Sequence, residues 1–153
     1  MEALAERFAR LFDEQIWSVY AYFAYLLLPR WHAETLTLRT FESAIHSWDG
    51  DEIDRDAAAT WLISIARGVL LEDDAFQALT DHGSSAGQTG LDPEVEYALR
   101  YVDDHDRELL ALRFGANLSE PEIAGITGMG PGDVRQGLWS SLRALRNVLE
   151  PAA

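Results

Sequence analysis

Apolar side chains recur along this chain at intervals of three and four, the pattern of helices that each bury one face. Leu4, Phe8, Leu11, Phe12, Val19, Tyr22, Phe23 and Leu26 keep that interval, with Gln15 in register. A first helix is therefore expected from about residue 2 to residue 28, ended by Pro29. Its second half, W-S-V-Y-A-Y-F-A-Y-L-L-L, is apolar almost all round, which places it at the centre of a bundle or against a partner. A second helix is expected over 33–48, with Leu36, Thr40, Phe41, Ala44 and Trp48 on one face, followed by a loop at Asp49-Gly50-Asp51. A third should start with Asp56 as its N-cap and carry Ala59, Leu62, Ile63, Ala66, Leu70 and Phe76 inward.

The periodicity then stops. From His82 to Gly90 the chain reads H-G-S-S-A-G-Q-T-G, without a large apolar residue. Such a stretch reads as a flexible linker and a domain boundary. It divides the chain into a helical domain over 1–80, a linker over 81–91 and a second domain over 92–150. After it, Asp92 caps and Pro93 starts a helix with Val95, Leu99 and Val102 inward. Asp103-Asp104 interrupts, and a further helix is expected from His105 to Phe114. No alternating run with turn chemistry suggests a sheet. The expected fold is all-α: two small helical bundles joined by a flexible linker, the second ending in a helix-turn-helix.

That last motif is the most specific local signal. Ser119 and Glu122 have the spacing of a capping box, in which each side chain satisfies the other residue's backbone amide. Ile123, Ala124 and Thr127 can face inward before Gly128-Met129-Gly130 breaks the helix, and Pro131 supplies a preset φ to restart it. Val134, Leu138, Leu142, Leu145 and Leu149 then form an expected core stripe. Two helices joined by a tight glycine turn can place the second in a DNA major groove, or can be a purely structural hairpin.

Charge complicates the nucleic-acid reading. Twenty-six acidic residues face twelve basic ones, all arginine, for a net charge of −14. DNA affinity comes largely from neutralised phosphates, so a chain this acidic argues against tight autonomous binding and favours a partner that supplies positive charge. Cysteine is absent, which removes disulfides and thiolate metal sites. Met1 leads into an acidic, arginine-bearing amphipathic segment rather than a signal peptide, and the apolar run Ile16 to Leu28 is too short for a bilayer. A soluble cytoplasmic protein is expected. His32, His46, His82 and His105 are scattered without metal-ligand spacing and read as surface or helix-end residues. Glu72-Asp73-Asp74 and Asp103-Asp104 lack the regular oxygen spacing of a calcium loop and read as solvated faces. No enzyme chemistry, metal or cofactor is expected.

The order of elements resembles the bacterial extracytoplasmic-function sigma factors, which combine a promoter-melting, polymerase-binding region two with a helix-turn-helix region four. V-D-D-H-D-R-E-L-L-A-L-R-F-G-A-N-L-S-E-P-E-I-A, from Val102 to Ala124, is similar without a gap to the pattern L-P-x-x-x-R-E-x-L-x-L-R-Y-x-x-G-L-S-x-x-E-I-A. Gly128, Gly132, Val134, Leu138, Leu145 and Arg146 continue the likeness. Ala33-Glu34, Phe41 and W-L-I-S-I-A-R, from Trp61 to Arg67, resemble the family's A-E-D-L-x-Q-E-x-F and W-L-x-x-I-A-R-N more loosely.

The resemblance implies RNA polymerase core and promoter DNA as partners, with an anti-sigma factor as a further one. It implies polymerase contacts by Glu34, Leu38, Arg39 and Phe41, and DNA contacts by Arg107, Arg113, Arg135, Gln136, Trp139 and Arg143. The chain also departs from the pattern. The clamp-gripping A-E-D-L-x-Q-E is here A-E-T-L-T-L-R, Glu72, Asp73 and Asp74 stand where basic residues belong, and two typical recognition arginines fall on Gly137 and Ser140. Two functions follow: a divergent sigma factor with weakened DNA contacts, or a sigma-shaped protein that binds an anti-sigma factor or other regulator without promoter DNA. A stand-alone helix-turn-helix repressor leaves the first ninety residues without a role.

Overall fold

A computed structural model describes residues 3–48, 55–73 and 89–150. Among them are seven α-helices and no strand: α1 (Leu4–Tyr25), α2 (Arg30–Ser47), α3 (Arg55–Leu71), α4 (Pro93–Leu99), α5 (Asp104–Leu110), α6 (Glu120–Thr127) and α7 (Pro131–Leu149). The all-α expectation holds. The expected loop at Asp49-Gly50-Asp51, Phe76, and most of the expected linker lie outside the described residues.

α1 buries Leu11, Val19, Tyr22 and Phe23, whereas Leu4, expected inward, is exposed in the first turn. The helix stops at Tyr25 rather than near residue 28. The chain reverses through Leu27, which takes a left-handed φ of 67°. That conformation costs a non-glycine residue about 1–2 kcal/mol. The cost is offset by burial of the Leu27 side chain against Leu99, Val102 and Leu110. Pro29 therefore does not terminate α1. It N-caps α2, its carbonyl accepting from the N–H groups of His32 and Ala33, and α2 starts at Arg30, three residues earlier than expected. α3 has already begun at Arg55, so Asp56 is inside it rather than its N-cap.

Aromatic rings close one end of the first bundle, with Phe41 of α2 edge-on to Phe8 and Phe12 of α1. Leu36, Leu62, Ile63 and Ala66 fill the space between α1, α2 and α3. Each fully buried leucine or isoleucine contributes about 1.5–3 kcal/mol relative to exposure.

Asp92 and Asp103 both cap as N-terminal acceptors, bonding the N–H groups of Glu94 and Asp106. α5 starts at Asp104 and runs on into a π-helical turn, Ala111–Gly115. The wider turn lets Gly115 press directly on α1: a Cβ placed there would lie 2.8 Å from the Ala21 carbonyl oxygen. The glycine of the sigma pattern falls two residues later, on Asn117, whose φ is 62°. Asparagine tolerates that left-handed region better than most residues.

Leu109, Ala111, Leu112, Leu118, Ile123, Val134 and Leu138 join the same buried cluster as Val19, Tyr22, Phe23 and Leu62. The two sets of helices thus share a core.

Candidate nucleic-acid and polymerase interface

The helix-turn-helix forms as its chemistry dictates. Ser119 and Glu122 make both capping-box bonds, Gly128 ends α6 at a φ of 80°, and Pro131 opens α7. Partial burial would raise Glu122, but bonds from the Ser119 backbone and from the Thr60 and Ser119 side chains hold it below the ordinary carboxylate value. The inward stripe of α7 is narrower than expected. Val134 and Leu138 are buried, but Leu142 and Leu149 are exposed. Ser141 takes the buried place, its hydroxyl bonded to Asp106 and to the Gly137 carbonyl.

The outward face of α7 carries Arg135, Trp139, Leu142, Arg143, Arg146 and Leu149 on one side, with Gln136 beside them, all exposed. Arg135 bonds Glu120 of α6 at 3.1 Å. Trp139 is 66% exposed, a large apolar surface among arginines. Arg146 and Leu142 were not among the expected contacts, though Arg146 was legible as the third arginine of that face.

Two expected DNA contacts have other work. Arg107 donates to the Leu99 and Val102 carbonyls and pairs with Asp104, with its side chain only 17% exposed. It ties the end of α4 and the turn that follows it to α5, adding a side-chain donor to the Leu99 carbonyl beside the longer bond from the Val102 N–H. Arg113 donates to the Leu118 carbonyl, fixing the turn into α6.

The polymerase residues divide similarly. Glu34 and Leu38 face outward, Leu38 being 62% exposed. Phe41 is buried in the ring cluster and presents nothing to a partner. Arg39 bonds Asp73 at 3.0 Å, and His32, 2% exposed, bonds the other Asp73 oxygen at 2.9 Å. His32 is therefore a core residue, not a surface one. Asp73 is buried as well, so this carboxylate is an internal tie rather than a solvated, repelling face. Its burial is stabilised by hydrogen bonds to both oxygens, and the Arg39 guanidinium supplies the opposite charge. Sequence reading missed that pairing because its partners are separated by some forty residues.

It also missed Trp31 and Ile45. With Leu38 they lie at i, i+7 and i+14, all exposed, opposite the core face of α2. A second apolar stripe on a helix whose first stripe is already buried was the available signal.

Among the described residues, no group of three or more histidines and acids could hold a metal ion. Nor is any described helix long and apolar enough to cross a membrane.

This architecture defines a helical protein with a helix-turn-helix at its C-terminal end. The chain is similar to the ECF RNA polymerase sigma factor BldN of Streptomyces coelicolor, with 26% identity over 166 aligned positions, 95% of this chain and 61% of that protein. The chain spans about three fifths of that protein's length. No family model matches the chain, and no solved structure matches it.

Proposed function

We propose that the chain is a divergent extracytoplasmic-function sigma factor that joins RNA polymerase core and engages promoter DNA weakly. The observation that carries this reading is a likeness to a sigma factor that runs through both sets of helices, with the helix-turn-helix capping chemistry intact. On this reading α2 is the polymerase face, with Glu34 and the apolar line Trp31, Leu38 and Ile45 as its anchors. Exposed apolar lines of this kind mark surfaces that a partner covers. α7 is the DNA face, carried by Arg135, Gln136 and Arg143, and extended by Arg146. Arg107 and Arg113 support it by holding the flanking turns.

Capture of purified core polymerase by the tagged chain at low salt tests the reading. Wild type should retain core, and Leu38→Glu should lose at least tenfold in affinity, as expected when one central apolar anchor is replaced by a charge. Absence of core binding by folded wild-type protein in excess would overturn the proposal.

One observation favours a second reading. Trp139, Leu142 and Leu149 share one exposed face of α7 with Arg135, Arg143 and Arg146, a mixture that suits an amphipathic protein helix carrying acidic residues better than a phosphate backbone. In that case the partner is an anti-sigma factor or similar regulator. Footprinting of polymerase loaded with this chain separates the two, since a specific promoter footprint supports the first and excludes the second.

A further inference from the structure

Two exposed faces of this chain complement each other. On α2, Glu34 and Glu42 stand on either side of the exposed apolar line Trp31, Leu38 and Ile45, three or four residues from its members. Arg39, the cation beside that line, is held by Asp73 at 3.0 Å. On α7, Trp139 shares its exposed face with Arg135, Arg143 and Arg146. Among the described residues, Glu34, Glu42 and Arg143 have no ion-pair partner. Arg135 and Arg146 meet Glu120 and Glu150 at 3.1 and 3.8 Å, in exposed pairs that solvent screens and that exchange at little cost.

The spacing matches as well as the charge. Glu34 and Glu42 are eight residues apart, and so are Arg135 and Arg143. Eight residues of α-helix advance about 12 Å, so both carboxylates can meet both guanidinium groups whether the helices run parallel or antiparallel. Leu38 lies four residues from each acid, and Trp139 four residues from each of those arginines. Pairing the charges therefore sets Leu38 against Trp139 at the centre. These side chains are 62% and 66% exposed, so neither is covered within one copy.

We propose that α7 of one copy docks on α2 of a second copy, with Leu38 against Trp139 and the four charges paired around them. The contact joins unlike faces, so it closes into a dimer or ring, or extends as a chain, according to the angle between them. One pair of crossed helices falls short of the about 1,200–2,000 Å² of a standard interface, which makes the association weak and concentration-dependent, with a Kd on the order of 10 μM. Two chains of net charge −14 repel at long range. At about 0.15 M salt that repulsion is screened beyond about 8 Å, whereas charges paired face to face keep their attraction. The docking goes beyond the proposed function and does not depend on it. Where that function holds, the same contact covers the polymerase face and the DNA face together, and the self-associated chain is idle.

Sedimentation velocity of the full chain alone, from about 2 to about 200 μM at about 0.15 M salt, tests the docking. Wild type should pass from monomer to larger species as concentration rises. Leu38→Glu and Trp139→Glu should each weaken association at least tenfold, as loss of a central anchor does. Circular dichroism should show unchanged helical content in both, since neither side chain is in the core. An equimolar mixture of the two variants should associate again, because it retains one intact α7 and one intact α2. Glu34→Arg combined with Glu42→Arg should act like Leu38→Glu. Wild type that stays monomeric throughout the range overturns the proposal and leaves the α7 face to DNA or a regulator. Association that survives both single substitutions overturns it too, as does a mixture of the two variants that stays monomeric. Capture of core polymerase by Trp139→Glu, whose α2 face is intact, reads the proposed function separately from self-association.

Discussion

Glu108 is the residue whose removal should be felt most widely. It accepts from Tyr22, which is wholly buried, and from Arg67, which is about a third exposed. In Glu108→Ala the Tyr22 hydroxyl loses its acceptor, and an unsatisfied buried donor costs about 1–3 kcal/mol. Loss of the part-exposed ion pair adds only about 0.5–1 kcal/mol, because solvent screens Arg67. The expected destabilisation is about 1.5–4 kcal/mol, which for a chain of this size lowers Tm by roughly 3–16 °C. Urea unfolding of wild type, Glu108→Ala, Tyr22→Phe and the double variant isolates the shared part. Tyr22→Phe removes the group that needs the acceptor, so the double variant should cost about 1 kcal/mol less than the two singles summed. Burial and the neighbouring Glu108 also push the Tyr22 hydroxyl well above its ordinary value, while Arg67 pulls in the opposite direction. The native state thus keeps a proton that the unfolded chain releases. Stability should be full below pH about 10 and fall as pH rises beyond it, a loss that Tyr22→Phe removes. Additive costs in the cycle, or a Glu108→Ala loss under 0.5 kcal/mol, would refute this account of how the helices are joined.

The remaining predictions concern single features. Glu122 is held below its ordinary value, so the stability that it confers should be present above pH about 4.5 and lost as pH falls through its lower native value. Glu122→Gln should flatten that acid limb in thermal melts. Asn117→Gly should stabilise by a few tenths of a kcal/mol and Asn117→Ala should cost about 1 kcal/mol, because the position needs a left-handed φ. Equal melting temperatures for the two would sink that argument. Asp73→Ala should cost about 1–3 kcal/mol by leaving His32 and Arg39 without their acceptor, measured by chemical denaturation. A neutral result would return Asp73 to the role of a surface charge.

Much of this protein was determined by local sequence. The capping box at Ser119 and Glu122, the glycine stop at Gly128, the proline start at Pro131 and the aspartate caps at Asp92 and Asp103 act within a few residues, so their chemistry is visible without a fold. The same holds for the three-and-four spacing that made the chain all-helical. Tertiary structure decided which outward group is free. Arg107, Arg113 and Arg39 look alike in sequence to Arg143, yet the first three bond carbonyls or a carboxylate brought to them by packing. Phe41 lies inward and Leu38 outward because α1 covers one side of α2 alone. The charge of Asp73 changes meaning once His32 and Arg39 surround it, and the strained turn at Leu27 exists because a second core is there to receive the side chain. Local propensity acts over one or two turns of helix, whereas burial and pairing depend on neighbours tens of residues away, and only the folded chain specifies those neighbours.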